Sequence, residues 1–350
     1  MQEETRWLKA DYYDDFVCKC GQCRNSCCEG WEIAVDMQDY FRLIGLECAP
    51  ELHHRLECAF RTPASPSSER FRLISPNYLG FCPLHNEAGL CALQVECGAQ
   101  ALPELCRVYP RSLKSASGEQ RACCSGSCEA VIETLMREAP LRFVEGPLCA
   151  APECVQDMRP EDRALGNACL AQLQNRALPL RDRLGKICGL LAGNGSFPES
   201  TDAQAGLSSL ICAMKSLRED FASLDCFGAQ AMERYDAENS SALEVYRADA
   251  AAMEARFPHW EVWFENVLAN HFFYACMPCA DPRLKARDLC AGICAAYGMM
   301  RAVCAARAQR LTTRADMADA LAGIFRMIEH SAFYYNARVL LPAPEAILAL

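Results

Sequence analysis

Thiols are the side chains of this sequence whose number and spacing could do chemistry. The chain has 25 cysteines among 350 residues, and 14 of them lie in residues 1–128. Thiolates two to four residues apart on a tight turn can bind one metal, and tetrahedral zinc or a cubane iron–sulfur cluster needs four ligands. The spacing predicts a metal centre closed by several loops. The groups are Cys18-x4-Cys23-x3-Cys27-Cys28 with the additional Cys20, Cys82 with Cys91, Cys106, and Cys123-Cys124-x3-Cys128.

The spacing leaves open whether the metal is zinc or iron. The six histidines do not follow zinc-finger spacing, and all-thiolate ligation at irregular spacing favours an iron–sulfur cluster, with zinc as the alternative. Adjacent Cys27 and Cys28 diverge in regular backbone, so they would serve different irons or different sites. A fortuitous cluster of structural thiols is the remaining interpretation. Cysteines after about Cys149 lie in helical patterns and are expected to be small buried hydrophobes.

Composition limits the compartment and the partners. No apolar leader is visible in Met1–Lys9, and the odd number of cysteines argues against a fully paired disulfide framework, so we expect a reducing, cytoplasmic location. The net charge of −10 argues against a nucleic-acid partner, which needs a basic face. No run of about 18 apolar residues is evident, so no membrane partner is expected.

The chain divides into two regions with different sequence patterns. Residues 1–140 are rich in turn residues, with one short alternating strand at Trp31–Val35 and a helix at 128–139. From about residue 160 helical periodicity dominates, and 259–275 is apolar nearly all round, as in a central buried helix. The predicted fold is mainly α, with an irregular Cys-rich metal-binding N-terminal module (1–140) packed on an α-helical C-terminal domain (160–350). Two further helices should bury one face each: Leu207, Leu210, Ile211, Met214, Leu217 and Phe221 on the first, and Leu321, Ile324, Phe325 and Ile328 on the second.

A family resemblance runs through these blocks. Tyr12-Tyr13-x2-Phe16-x-Cys18-x4-Cys23-x3-Cys27-Cys28-x-Gly30-Trp31-x-Ile33 resembles the opening signature of the flagellin lysine-N-methylase family. That family shares its Cys-rich element with a broader group of zinc- or iron-chelating proteins. Later blocks match in the same order: Phe81-Cys82-Pro83-Leu84, Gly89-Leu90-Cys91, Cys106-Arg107-x-Tyr109-Pro110-Arg111, Ser127-Cys128-Glu129-Ala130, Phe264-Glu265-Asn266-x-Leu268-x-Asn270-x-Phe272-Phe273 and Ile328-Glu329-His330-Ser331.

The resemblance implies an activity, its cofactors and a ligand set. The activity is methyl transfer from S-adenosylmethionine to lysine side chains of flagellin, and an iron–sulfur cluster, [4Fe–4S], accompanies it. Relatives usually have glycine at the position of Cys20, and Cys97, Cys123 and Cys124 look like additions, so a near neighbour could replace a ligand. The eight framework thiols implied are Cys18, Cys23, Cys27, Cys28, Cys82, Cys91, Cys106 and Cys128.

Methylation of an amine requires a deprotonated nitrogen and a site that binds the positively charged reactants, and several residues could meet these requirements. The ammonium must lose its proton, and aromatic faces attract a sulfonium or ammonium. The aromatic candidates, each of which is more often an ordinary core or interface residue, are Tyr12, Tyr13, Trp31, Tyr109, Trp260, Trp263, Tyr334 and Tyr335. Glu265 and Glu329 could be bases, although such a glutamate more often pairs with a neighbouring helix. Two other functions stay open: a non-catalytic, metal-stapled (zinc or iron) protein-binding module, and a redox protein.

Overall fold

The structure, a computed structural model, describes residues 6–116, 119–148, 154–155, 160–193, 195–218, 222–236, 238–278, 281 and 283–350. Helix accounts for 55% of these described residues and strand for 10%, which confirms the mainly α prediction.

The strands and helices follow one another along the chain with these bounds. The strands are β1 (Arg6–Ala10), β2 (Ile33–Val35), β3 (Phe60–Arg61), β4 (Arg72–Ile74), β5 (Arg111–Ala116), β6 (Glu119–Cys124), β7 (Phe143–Pro147) and β8 (Cys154–Val155). The α-helices are α1 (Met37–Ile44), α2 (Pro50–Ala59), α3 (Ala92–Cys97), α4 (Glu104–Val108), α5 (Glu129–Leu135), α6 (Pro160–Leu173), α7 (Leu180–Leu191), α8 (Ala203–Arg218), α9 (Ala222–Arg234), α10 (Ala242–Arg256), α11 (Trp260–Tyr274), α12 (Ala286–Ala306), α13 (Arg314–Glu329) and α14 (Phe333–Leu340). Short 3-10 helices lie at Cys20–Gln22, Ala99–Ala101 and Pro344–Ala349.

The chain forms two compact units. One comprises Val17–Pro110, here called the thiol unit, and the other comprises Met1–Phe16 with Arg111–Leu350, here called the helical unit. The sequence placed the division after residue 140 instead. The first strand explains the difference, because β1 pairs in parallel with β6 and antiparallel with β7, so it belongs to a sheet of the helical unit.

The thiol unit is small and irregular. Its antiparallel sheet has the order β2-β4-β3, and β2 confirms the strand predicted at Trp31–Val35. α1 begins at the N-cap Asp36, whose side chain accepts the Asp39 N–H at 2.7 Å. The apolar core is lined by Val35, Leu43, Leu52, Leu56, Ala59, Ile74, Leu84, Leu93, Ala101 and Leu102, and half-buried cysteines pack against it.

The helical unit combines a five-stranded sheet of order β7-β1-β6-β5-β8 with the longer helices. α11 matches the central helix predicted at 259–275 and is almost entirely buried. The predicted faces of α8 and α13 are buried as well, except that Phe221 lies outside the described residues. The predicted helix 128–139 is shorter, since α5 ends at Leu135. The reason is a tertiary contact with α11, described below.

Within the described part of the chain, one helix, α12, has the length and the composition to cross a bilayer, although its sequence predicted no membrane span. Every residue of its most apolar 18-residue stretch is buried inside the protein. Helices α7, α9, α10 and α13 pack around it. α12 is therefore the core helix of the helical unit.

Candidate functional site

Backbone pairing brings the first two thiol blocks of the thiol unit together. The Cys82 N–H donates to the Cys28 carbonyl at 2.7 Å, and the Gly30 N–H donates to the Gly80 carbonyl at 3.0 Å. Between these bonds, Glu29 and Phe81 form an antiparallel bridge. Two segments separated by more than 50 residues thus run side by side, and each carries a framework thiol.

Cys91, the next framework thiol, is positioned by a turn whose backbone N–H groups bind the Asn86 side chain. His85 and Cys91 form an antiparallel bridge that closes the segment into a hairpin-like loop. The Asn86 Oδ1 accepts the N–H groups of Ala88 at 3.0 Å and Leu90 at 2.9 Å. Such a side chain replaces the missing backbone partners of a turn. Cys91 is then delivered at the N-cap of α3.

Two glycines let the first block lie against this turn. A Cβ on Gly21 would meet Leu90 Cδ2 at 2.7 Å and the Gly89 carbonyl at 3.2 Å, which leaves no room for a side chain. Gly89 itself has φ +76°, a conformation that favours glycine. The short helix Cys20–Gln22 can therefore approach Gly89 closely, which places it against the turn that leads to Cys91.

Cys20 occupies the position at which the family usually has glycine. Its φ is 52°, in the left-handed region, so a glycine in relatives suits this turn. The Cys20 N–H donates to Cys18 Sγ at 3.3 Å. An N–H bond of this kind stabilises a metal-bound thiolate. The Cys20 backbone N–H would therefore stabilise a Cys18 thiolate, independently of the Cys20 side chain.

Cys106 is held by a short helix whose start is capped. The N–H of Glu104, at the first turn of α4, donates to the buried Asp39 carboxylate, which satisfies one of the helix's exposed donors. One turn later the Tyr109 ring packs edge to face on Trp31, with 5.5 Å between the ring centroids. Trp31, a candidate for cation binding, therefore ties the Gly30–Trp31 block to the Cys106 block.

The thiols of these blocks act on one another electrostatically. Burial raises the pKa of Cys82 to about 12, and the neighbouring Cys28 and Cys91 thiols contribute to the rise. Burial also raises the pKa of Cys106, with contributions from the same three thiols. A hydrogen bond from the Cys27 thiol lowers the pKa of Cys28 below its usual value, and Cys27 is raised in turn. Cys28, Cys82, Cys91 and Cys106 therefore form one thiol group.

Backbone donors already point at two of these sulfurs. The N–H groups of Leu84 and His85 hydrogen-bond to the Cys82 thiol and lower its pKa, against the larger effect of burial. The Cys91 thiol likewise accepts backbone bonds at the start of α3. N–H donors of this kind stabilise the thiolate, the form that binds metals.

Seven of the eight framework thiols belong to the thiol unit, and Cys128 does not. Cys128 is the N-cap of α5 in the helical unit. Its thiol raises the pKa of buried Cys124, for which burial is the largest cause. Cys123 and Cys124, the additions of the sequence analysis, end β6 and are buried as well.

A second cluster of polar side chains is buried in the helical unit, around Glu329. Its Oε2 accepts the Ser125 hydroxyl at 2.6 Å, and its Oε1 lies 3.0 Å from Nδ1 of His271. The Glu329 side chain is 0% exposed and that of His271 is 3% exposed. Nε2 of His271 lies 2.7 Å from the hydroxyl of half-buried Tyr334. A carboxylate only accepts, so His271 donates through Nδ1, and a neutral ring then accepts from Tyr334.

Two glycines make room for this network, here called the Glu329 network. A Cβ on Gly126 would lie 3.3 Å from Glu329 Oε1, so the loop wraps closely around the carboxylate. A Cβ on Gly292 of α12 would lie 2.0 Å from the Tyr334 ring. The position of Tyr334 therefore depends on glycine at that point of α12.

The network continues from Ser125 to a second histidine. The hydroxyls of Ser125 and Ser127 are 2.5 Å apart, and Ser127 Oγ lies 2.9 Å from Nε2 of His330. Burial lowers the pKa of His330, which the charge of Glu329 opposes. Hydrogen bonds thus connect Tyr334 to His330 through the buried carboxylate.

Tyr12 and Tyr13 occupy structural positions beside β6. The Tyr12 hydroxyl donates to Asn270 Oδ1 at 2.6 Å, and Asn270 Nδ2 donates to the Cys124 carbonyl at 2.9 Å. Burial raises the pKa of Tyr12 well above its usual value and that of Tyr13 to about 12. The Arg111 guanidinium lies 5.7 Å from the Tyr13 ring centroid. These contacts favour packing over cation binding for both tyrosines.

Glu265 is saturated by two arginines. Arg176 donates to both carboxylate oxygens at 2.9–3.0 Å, and Arg183 donates to Oε2 at 2.6 Å. The Glu265 side chain is 0% exposed. Both oxygens of this carboxylate are engaged by arginine N–H groups inside the protein, so the geometry favours the structural interpretation over the catalytic one.

Directly after Glu265 on α11, Asn266 ends α5 early. Its Nδ2 donates to the carbonyls of Leu135, Arg137 and Ala139, and its Oδ1 accepts the Leu141 N–H at 2.9 Å. Carbonyls engaged by a side chain need no further helical partners. The predicted helix 128–139 therefore gives way to a loop after Leu135.

Comparison with known proteins finds sequence similarity to three bacterial proteins. Over 131 residues, 35% of this chain, the sequence is 28% identical to the Lysine-N-methylase of Salmonella choleraesuis and 27% identical to that of Salmonella typhimurium. The chain is related to the lysine-N-methylases. The match spans 30% of the length of each of these two relatives. It also reaches the Flagellar biosynthetic protein FliU of Salmonella muenchen, at 26% identity over 72% of that protein. No family model and no solved structure matches.

Residues of the Glu329 network stand in the blocks that resemble the lysine-N-methylase family, and sequence reasoning found them only in part. Glu329 was named as a base candidate. His271 directly follows Asn270 of a matched block, and Ser125 precedes another block by two residues. Their adjacency to the blocks was the available signal, but nothing in the spacing joins residues that lie 204 positions apart.

Proposed function

We propose that this chain transfers a methyl group from S-adenosylmethionine to the ε-amine of lysines in flagellin, in the cytoplasm before export. The observation that carries the proposal is the match to two proteins named Lysine-N-methylase. The name of the third relative, a flagellar biosynthetic protein, supports flagellin as the substrate. In this reaction the amine nitrogen bonds to the methyl carbon, the carbon–sulfur bond breaks, and one proton leaves the amine.

The protein must promote the removal of that proton. A lysine is protonated at neutral pH and has no lone pair for attack, so its pKa must fall or a base must accept the proton. The Glu329 network offers a fully buried carboxylate, an imidazole and a half-buried phenol in hydrogen-bonded sequence. Burial, followed by the charge of Glu329, raises the pKa of Tyr334. We assign the proton transfer to this network: the Tyr334 oxygen takes the amine proton as its own proton passes to Nε2 of His271, and the Glu329 carboxylate stabilises the imidazolium so formed.

The thiol unit would hold the metal. Thiols alone make up the group of Cys28, Cys82, Cys91 and Cys106, and backbone N–H donors already face two of them, so the residues fit a thiolate-bound metal. We propose a [4Fe–4S] cluster at this group, with zinc as the alternative. When bound, a cluster would supply an electron-transfer couple as well as a cross-link between the loops.

The first experiment joins metal analysis to an activity assay. The chain is purified anaerobically, and iron, acid-labile sulfide and zinc are measured. It is then incubated with labelled S-adenosylmethionine and flagellin, whose intact mass should rise in steps of about 14 Da, one methylene per methylation. An unchanged flagellin mass, with metal and S-adenosylmethionine still bound, would refute the substrate. A chain that holds metal but binds no S-adenosylmethionine would be a metal-stapled binding module instead.

A second experiment tests the Glu329 network within that reaction. Tyr334→Phe should lower the methylation rate by about 100-fold, as for loss of a proton-transfer group. Tyr335→Phe is the matched control, because Tyr335 is bonded to Asp281 at 3.0 Å and stands outside the network. Glu329→Gln should also shift the acid limb of the pH–rate profile, which a purely structural role would leave in place. Equal rates for both tyrosine variants would exclude this role.

A further inference from the structure

Two cysteines outside the framework meet a carboxylate in the thiol unit. Cys48 lies in the loop before α2, and Glu96 and Cys97 are the last two residues of α3. The two Sγ atoms and a carboxylate oxygen of Glu96 all lie within 4.8 Å of one another. Both thiols are half-buried against the apolar core, whereas Glu96 is exposed. The three side chains converge from the loop before α2 and from the end of α3.

The carboxylate is already oriented by the backbone. The Ala49 N–H, next to Cys48, donates to Glu96 Oε1 at 2.5 Å. This hydrogen bond fixes the Glu96 side chain over the start of α2. The Ala49 N–H does not engage Oε2, the second carboxylate oxygen. A hydrogen bond that orients a ligand in this way is typical of metal sites, where outer partners set the geometry.

We propose that Cys48, Glu96 and Cys97 bind one thiophilic divalent cation such as Zn²⁺, at a site separate from the framework thiols. Two thiolates and a carboxylate are a donor set that zinc accepts, and tetrahedral coordination separates such ligand atoms by about 3.3–3.8 Å. The three ligand atoms lie within 4.8 Å of one another, so binding of the cation would draw them together. Three ligands leave the fourth position to water.

The site would stabilise the position of α3. Its cation would tie the end of α3 to the start of α2, while Cys91, a framework thiol, stands at the other end of α3. α3 has only six residues and could not hold its conformation alone. This inference does not depend on methyl transfer, because it concerns metal content and stability only.

The experiment uses Co²⁺ as a spectroscopic probe on the full chain purified anaerobically with its framework metal in place. The native chain should bind one more equivalent than the Cys48→Ser/Cys97→Ser variant, with thiolate-to-cobalt absorption that the variant lacks. Iron and sulfide should be equal in both. Loss of an outer-shell partner weakens metal binding by about 10–100-fold, so Glu96→Gln, which removes a ligand charge, should weaken it at least about tenfold. Cys58→Ser, an exposed thiol beside His54 on α2, is the matched control and should bind like the native chain.

Two results would overturn the proposal. One is equal Co²⁺ binding by the native chain and the double variant. The other is recovery of Cys48 and Cys97 as a disulfide under anaerobic conditions, which would make them a redox pair. Should the double variant fail to fold, Glu96→Gln still decides the matter, because its side chain is exposed. Unchanged Co²⁺ affinity in that variant would remove Glu96 from the site.

Discussion

Replacing Glu265 by glutamine should destabilise the helical unit without a matching loss of activity per folded molecule. The structure presents Glu265 as the centre of a buried ion cluster, whereas the sequence left it as a candidate base. The two roles predict different outcomes for one substitution. If Glu265 is structural, the substitution lowers the free energy of unfolding. If Glu265 is catalytic, it lowers the methylation rate per folded molecule.

The magnitude follows from burial. Glu265 is 0% exposed and Arg183 3% exposed, and the carboxylate makes four N···O contacts of 2.6–3.0 Å with its two arginines. Removing one partner of a buried pair costs about 3–5 kcal/mol, because the other charge stays buried. Arg176 is 33% exposed, so Arg176→Met should cost less, about 1.5–3 kcal/mol for a bond to a charged group.

Urea unfolding followed by circular dichroism measures these free energies, and methylation is measured in parallel below the transition. Glu261→Gln is the control, because Glu261 is a glutamate on the same helix that accepts the Leu180 N–H at 2.5 Å and lies 3.9 Å from Arg183. It should cost about 1 kcal/mol. If Glu265→Gln unfolds within about 1 kcal/mol of the native chain and methylation disappears, Glu265 is a base and our reasoning is wrong.

Three further predictions concern separate features. Cys20→Gly should raise the free energy of unfolding by about 1 kcal/mol, because φ 52° strains a residue with a Cβ, and iron should be retained; loss of iron would make Cys20 a ligand. Cys82→Ala and Cys106→Ala should lose the metal in iron and sulfide analysis, whereas Cys212→Ala, exposed on α8, should keep it; equal loss in all three would refute the ligand assignment. Burial lowers the pKa of His330, so the unfolded chain takes the proton first and stability falls as pH drops below about 6.5. His330→Gln should flatten that fall in urea titrations at several pH values, and an unchanged slope would contradict it.

Local patterns were sufficient for the longer helices. α11 could be predicted because apolar residues all round a helix indicate burial on all sides, and the faces of α8 and α13 could be predicted from helical spacing. The order of the thiol blocks could be read along the chain as well. Each of these features depends on residues within a few turns of one another.

Contacts between distant segments were decided by the tertiary structure. The end of α5 is set by Asn266, more than 120 residues away, which takes the carbonyls that would have continued the helix. The first strand joins the helical unit through β6, so the division of the chain could not be read from composition.

The same distinction applies to the sites. The sequence by itself determined that thiols are concentrated in the first 128 residues, and the spacing predicted a metal centre. Which thiols meet was decided by the pairing of Cys28 with Cys82 and by the close approach of Gly21 to Gly89. The Glu329 network needed the tertiary structure entirely, because hydrogen bonds depend on positions in space, and spacing along the chain carries no information about partners 204 residues apart.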